Sequence, residues 1–490
     1  MRKKAVIVGR QYELLKLEKA YQSKRSEFIA VYGRRRIGKT YVIRNFFSSK
    51  DCTYFQSTGI HKAKGSVQRK EFMQELQNVF YPGSAKLEVP KSWMSIFQLL
   101  TEIIERQNPA TKIVLFFDEF PWMAIRSSKL LEALEYYWNR YWVNIPNLKL
   151  IVCGSAASWM LRNIIKNKGG LHNRVTLRLP MEPFSLAETK AFLEYEGIKY
   201  NPHQILQIYM CIGGIPYYLT MLDKGLSAAQ NINQLCFRKK GTLLDEFEIL
   251  FSSLFTESEM YEALVRMIAE KREGISRTVI EKKMKYKGGV LTEKLKDLES
   301  AGFIASFIPW GRSKKGKYYK VIDEYTLFYL TWIEPHRLHH NSSELGNRFW
   351  EMKTHSAGWN AWAGYSFEMV CFKHLENIKK ALKIPDDSNV LTWRYVAKEK
   401  NGNDQGAQID LLFDRQDGVV SLCEIKYSQD AFKIDKEYAR NLKNKEEIYQ
   451  KVTKTKKQIF ISMISPFGVR AGIYKDDLID SSVTLNDFFE

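Results

Sequence analysis

The 490-residue sequence predicts an α/β protein: a parallel sheet first, a helical middle, and a second, smaller α/β unit last. Three observations predict it. Over residues 1–180, apolar strand-like runs ("EFIAVYG", "KIVLFFDEF", "LKLIVCGS") alternate with longer helical patterns. That alternation makes a parallel sheet with helices on both faces. From 181 to 335, apolar residues recur mostly at helical spacing. Near the end, "QIDLLFDRQDGVVSLCEIK" (408–426) sets two apolar runs about a polar turn.

The elements follow in order. Residues 181–244 break into short helical segments, "SLAETKAFLEYEG", "HQILQIYMC" and, after a GG break, "IPYYLTML", and read as a helical lid. Residues 245–335 hold three helical patterns, then "IASFIPWG", a basic "RSKKGK" and "YYKVIDEYTLFYLTW". Three helices before a two-stranded ribbon with a basic tip read as a winged helix. Residues 336–360 are polar and weakly periodic, and read as a linker. Residues 361–490 supply a helix, three or more strands and a lysine-rich helix.

The totals restrict function. The chain is too long for one core. Hydrophobic residues at 45% and charged residues at 27% match ordinary globular proteins. No apolar run of about 18 residues appears, so no membrane span is expected. The short "AVIV" near the N-terminus does not make a secretion signal, which predicts a cytoplasmic protein. The six cysteines form no CxxC pair, so neither a zinc site nor a disulfide framework is expected. Cys153 and Cys423 lie in apolar runs and read as core thiols. A net charge of +20 and a pI near 9.4 favour polyanionic partners, nucleic acid first.

"VYGRRRIGKT" carries the sharpest chemistry. Gly33, Gly38, Lys39 and Thr40 satisfy GxxxxGK[ST] between a strand, "FIAVY", and a helical run, "YVIRNFF". Glycines let backbone N–H groups wrap phosphates, and the helix N-terminus favours the anion. Lys39 is expected to reach the β/γ-phosphates of ATP and Thr40 to bind Mg²⁺. Arg34, Arg35, Arg36, Ile37 and Tyr41 complete the expected nucleotide-binding loop. "KIVLFFDEF" delivers Asp118 and Glu119 to the C-terminal end of a buried strand, where parallel sheets bind ligands. Asp118 is expected to hold Mg²⁺ and Glu119 to polarise the attacking water. Ser155, ending "LKLIVCGS", is expected to contact the γ-phosphate or that water.

Together "VGRQYELLKLEKAY", the phosphate loop, "FFDEFPWM", "CGSAASWM" and "GGIPYYL" resemble the prokaryotic archaeal-type ATPases of the AAA+/STAND superfamily. The resemblance covers about the first 330 residues. It implies a P-loop ATPase core, a lid and a winged helix. It places Gly9, Arg10, Gly213, Gly214 and Pro216 on the adenine and ribose side. It also implies an arginine finger at Arg174, with His172 and Asn173 where the family carries an aromatic–glycine pair.

In the hairpin read from 408–426, Glu424 and Lys426 share a face, because residues two apart in a strand point the same way. Folding about "DRQDG" sets Asp410 roughly opposite Glu424. Paired carboxylates suit a divalent cation, and a nearby lysine suits a phosphate. Upstream, Glu368 sits on the apolar face of "WAGYSFEMVCFKHLENI", which is unusual without a partner or a task. The pattern resembles the PD-(D/E)XK nuclease superfamily over about residues 361–465. The resemblance implies a restriction-endonuclease-like fold with Glu368, Asp410, Glu424 and Lys426 as its active site, and Mg²⁺ or Mn²⁺ on Asp410 and Glu424.

The wing clusters Arg312, Lys314, Lys315, Lys317 and Lys320, and the recognition helix carries Lys294 and Lys296. Both suit phosphate contacts. Two functions follow as expectations. In the first, an AAA+-type ATPase controls a Mg²⁺-dependent nuclease on DNA, with a second copy of the chain among its expected partners. In the second, a nucleotide-switched sensor binds DNA through an inactive nuclease-like domain.

Overall fold

The computed structural model describes residues 6–166, 169–284, 288–308, 316–339, 348–354, 356–395 and 406–490. The chain forms two compact units. The first holds residues 1–183, 215–217 and 293–302, and the second holds 184–214, 218–292 and 303–490. Among the described residues no helix is long and apolar enough to cross a membrane.

The first unit is built on five strands: β1 Glu27–Tyr32, β2 Cys52–Thr58, β3 Lys112–Asp118, β4 Leu148–Gly154 and β5 Leu177–Pro180. They pair in parallel in the order β2-β3-β4-β1-β5. The central strands β1, β3 and β4 are near-continuous apolar runs because both their faces are buried. Sequence periodicity finds these three and misses β2 and β5. Those two lie at the sheet's edges, where burial is only partial and the apolar signal thins. Phe28, Phe55, Phe72, Phe97, Phe117, Trp138 and Trp142 fill one core cluster. Trp142 satisfies its buried indole N–H by donating to Thr101 Oγ1 at 2.9 Å.

A buried cation stands on the face of β4 opposite Leu148, Leu150 and Val152 of this cluster. Lys149, in β4, is fully buried, and its ammonium donates to the carbonyls of Ser23 at 2.9 Å and Arg25 at 2.5 Å. Burial pulls its pKa down to about 8. The unfolded chain, with an ordinary lysine pKa of about 10.4, therefore binds more protons than the folded chain between those values. Stability must rise with pH across that window. We expect Lys149→Met to lose that rise, read as the difference between parent and variant urea midpoints across the same pH range.

The second unit opens with the helices Leu186–Tyr195, Pro202–Ile212, Ala228–Cys236 and Glu246–Leu254. Ser185 caps the first in a reciprocal capping box with Glu188. The helices Ser258–Ala269 and Arg277–Met284 follow. The expected two-stranded ribbon is a three-stranded antiparallel sheet, with β6 Ile275–Ser276, β7 Ile304–Phe307 and β8 Tyr318–Val321 in the order β6-β8-β7. The wing residues Arg312, Lys314 and Lys315 lie outside the described residues. The expectation for Lys294 needs correcting. From Glu293 onward its helix, Gly288–Ser300, belongs to the first unit, and Lys294 is only 8% exposed. Within that unit Arg162 pairs with Glu293 and Asp297. The apolar spacing that makes this a helix also commits its surface to packing.

The stretch read as a linker contains the helix Phe349–Lys353. Trp350 is buried there against Phe237, Phe328, Trp359 and Trp362. One large aromatic anchors what composition alone reads as loose.

Beyond it stand the helix Ala357–Lys373 and a mixed five-stranded sheet. Its strands are β9 Asn389–Tyr395, β10 Ala407–Asp414, β11 Val419–Ile425, β12 Gln458–Ile464 and β13 Ser481–Val483, in the order β13-β12-β11-β10-β9. β10 is antiparallel to β9 and β11, and β11, β12 and β13 are parallel. The expected hairpin is present. Gly418 turns it with φ +83°, a conformation costly for other residues. The helix Lys436–Thr453, capped by Asp435, crosses between β11 and β12 in the chain.

Candidate functional site

In the first unit, the segments after β1, β3 and β4 bring one group of side chains together. Gly33, at φ +147°, leaves no room for a Cβ, which would lie 2.1 Å from the Met181 carbonyl oxygen. Arg36 and Gly38 also take positive φ, and Gly38 caps the helix Lys39–Ser48. The loop thereby turns its backbone at the N-terminus of a helix, as phosphate binding requires. Lys39 is buried and donates to the carbonyls of Gly33 at 3.0 Å and Arg34 at 2.7 Å. Burial lowers its pKa, with partial compensation from Glu119 and Asp118.

Thr40 Oγ1 donates to Asp118 Oδ2 at 2.8 Å. Burial raises the Asp118 pKa, and the bond from Thr40 opposes that rise. Glu119 follows in the left-handed region at φ +43°, an uncommon conformation for a side chain of its size. Its carboxylate accepts from Ser155 Oγ at 2.7 Å and from Ser155 N at 3.2 Å. Ser155 thus holds Glu119, a contact that spacing alone does not reveal. Two hard oxygens, on Thr40 and Asp118, beside a buried lysine fit a hydrated Mg²⁺ and a triphosphate.

The remaining loop residues divide by task. Ile37 is fully buried. The Arg35 guanidinium lies 6.0 Å from the Trp122 ring, and that of Arg36 lies 4.5 Å from Tyr217. Tyr41 donates to the Val6 carbonyl at 3.1 Å. Gly9 and Arg10 both take positive φ. The buried Arg10 guanidinium donates to the carbonyls of Ile37 at 2.9 Å and Glu182 at 2.6 Å, which ties the N-terminal turn to the phosphate loop. Pro216 opens the short helix Pro216–Leu219, and Tyr217 N donates to the Arg36 carbonyl at 3.4 Å. Gly213 and Gly214 lie in the second unit, where a Cβ on Gly214 would meet the Phe184 carbonyl at 2.0 Å. Arg174 is exposed, after Asn173 at φ +56°, and among the described residues no hydrogen bond or ion pair ties its side chain to Thr40, Asp118, Glu119 or Ser155.

The second unit gathers the carboxylates. The β10–β11 register pairs Leu411 with Cys423, which sets Asp410 next to Glu424. The β9–β10 register slips by one residue between Ile409 and Leu412. Such bulges re-aim side chains, and this one falls at Asp410. Asp410 Oδ2 accepts from Ile425 N at 3.1 Å. Burial raises the Glu424 pKa and Asp410 adds to the rise, while Lys445 and Lys426 oppose it. Glu368 is raised by burial and by Asp410, with Lys320 the chief opposing charge.

Two cations stand against these carboxylates: Lys445, from the lysine-rich helix, and Lys320, expected as a phosphate contact of the wing and instead paired with Glu368. Lys445 Nζ lies 2.7 Å from both Glu424 oxygens, and Lys320 Nζ lies 3.0 Å from Glu368 Oε1. Lys426 instead rests 5.5 Å from the Tyr438 ring. The available signal was the seven-residue spacing of Tyr438 and Lys445, which puts both on the helix face that buries Leu442. Among the described residues, no three His, Cys, Asp or Glu side chains are gathered to hold a metal ion. With Glu424 fully engaged by Lys445, the donor set does not fit a divalent cation as it stands.

Residues 7–222 match the family described as an ATPase domain predominantly from Archaea. An uncharacterised protein of Methanocaldococcus jannaschii is 27% identical over 384 residues, 78% of this chain and 80% of that one. Among solved structures, the Walker-type ATPase of Pyrococcus abyssi aligns over 66% of this chain and 96% of its own, with 21% identity and a TM-score of 0.48. The Aeropyrum pernix ORC2 protein aligns over 68% and 95%, with 14% identity and a TM-score of 0.38.

Proposed function

We propose that this chain, with residues 7–222 as an archaeal-type P-loop ATPase domain, is a nucleotide-switched protein that acts on nucleic acid, DNA first. The observation that carries the ATPase half is the Thr40–Asp118 bond beside Glu119 and Ser155. In this reading Lys39 exchanges its bonds to the Gly33 and Arg34 carbonyls for the β- and γ-phosphates. Thr40 and Asp118 hold Mg²⁺, which when bound neutralises phosphate charge. Glu119 orients the attacking water when Ser155 releases it. Exposed Arg174 serves as an arginine finger toward a second copy of the chain. The nucleic-acid half rests on the net charge of +20. ATP turnover by the parent, lost in Lys39→Ala, tests the first half. ATP-dependent retention of labelled DNA tests the second, and turnover that survives in Lys39→Ala would exclude the ATPase site.

A second reading, metal-dependent phosphodiester cleavage by a nuclease-like unit, is favoured by the Asp410–Glu424 proximity and by Lys426 two residues on. It requires Lys445 to give up Glu424. Single- and double-stranded DNA and RNA are incubated with Mg²⁺ or Mn²⁺, with and without ATP. Cleavage lost in Asp410→Ala and Lys426→Ala supports this reading. Cleavage as fast in Lys426→Ala as in the parent excludes it.

A further inference from the structure

We infer that the cleft between the three-stranded sheet and the C-terminal mixed sheet takes a single nucleic-acid strand, with Arg272 and Arg394 as phosphate contacts and Tyr365 as a base platform. The inference rests on the nucleic-acid reading above and adds the site and the form of the ligand. The cleft lies within the second unit and has a volume of about 560 Å³. Pockets of roughly 300–1,000 Å³ hold one compact ligand. That is the scale of a nucleotide unit, not of a duplex.

Its walls come from segments far apart in the chain. Phe307, Tyr318 and Lys320 line it from β7 and β8, and Arg272 lines it from the turn before β6. Tyr365 and Glu368 line it from the helix Ala357–Lys373, Arg394 from β9 and Asp410 from β10. The chemistry is divided. Arg272 and Arg394 are exposed, while Glu368 and Asp410 are partly buried. Glu368 is already matched by Lys320 at 3.0 Å, and Asp410 and Glu273 are the other acids among the described lining residues. Two exposed guanidiniums beside aromatic rings suit a backbone of phosphates with unstacked bases.

Two more contacts point the same way. The Arg272 guanidinium stands 5.9 Å from the Tyr365 ring and donates to the Ala361 carbonyl at 3.3 Å, so cation and ring are held together. A paired base stack hides its faces, so stacking on Tyr365 selects single strands.

The test is fluorescence anisotropy with short labelled oligothymidylate, oligouridylate and a DNA duplex, with chelator present so that no strand is cut. The parent is expected to bind single strands more tightly than the duplex, and the thymidylate and uridylate arms separate DNA from RNA. Arg272→Ala with Arg394→Ala should flatten the salt dependence by about 1.4 in log–log slope, for two phosphate contacts at about 0.7 each. Tyr365→Leu should weaken binding roughly tenfold. Arg272→Lys with Arg394→Lys should restore most of the binding, and unchanged melting midpoints would show that the variants are folded. Single-strand binding by the parent that neither the alanine pair nor Tyr365→Leu changes would overturn the cleft assignment and leave the nucleic-acid reading standing. A parent that binds none of the three probes would remove both.

Discussion

Glu119→Gln is expected to bind ATP with parent-like affinity and to hydrolyse it about 10²–10⁴-fold more slowly, the usual contribution of a positioned general base. The substitution keeps the side chain's shape and an acceptor for Ser155 Oγ, so the 2.7 Å contact survives while the negative charge goes. Lys39, Thr40 and Asp118 are untouched, so affinity for the nucleotide should hold. A binding titration with a fluorescent ATP analogue and a phosphate-release assay read the two effects separately. Turnover within a factor of a few of the parent would show that Glu119 is not the base. Loss of both binding and turnover would place it among the binding residues instead.

The second large effect falls in the other unit. Lys445→Met should destabilise the protein by about 3–5 kcal/mol at neutral pH, the cost of stranding a buried charge. The Glu424 side chain is only 3% exposed, and Lys445 bridges both of its oxygens. The sign of the pH dependence follows from the direction of its shift. Burial and Asp410 already raise the Glu424 pKa, and removing Lys445 raises it further. Below the unfolded carboxylate value, about 4.3, Glu424 is protonated in both states and the penalty vanishes. As pH rises through the folded pKa the stability is lost. Denaturant midpoints of parent and variant should therefore converge in acid and separate toward neutrality. Adding Glu424→Gln to Lys445→Met should recover much of the loss. A variant equally destabilised at every pH would mean that Lys445 contributes by packing alone.

Much of the first unit is legible in the sequence. β1, β3 and β4 announced themselves because strands buried on both faces are almost wholly apolar. The edge strands β2 and β5 did not, because partial burial leaves a mixed pattern. The linker reading of 336–360 overlooked Trp350, since a single buried aromatic has no period to detect. Lys294 read as a nucleic-acid contact because a lysine on a helix looks the same whether its surface is solvated or packed.

The phosphate loop, the Asp118–Glu119 pair and the 408–426 hairpin are runs of consecutive residues, and backbone stereochemistry ties such runs to their shape. Glycines that must take positive φ, strands of period two and a turn of polar residues are local properties, so the chain's order is enough to read them. Ser155 against Glu119, Lys445 against Glu424, Lys320 against Glu368 and the bulge at Asp410 join residues 36, 21 and 48 positions apart or depend on strand register. Their partners are chosen by packing: a buried charge must find the counter-charge that the fold brings within about 4 Å, and nothing local in the sequence names it.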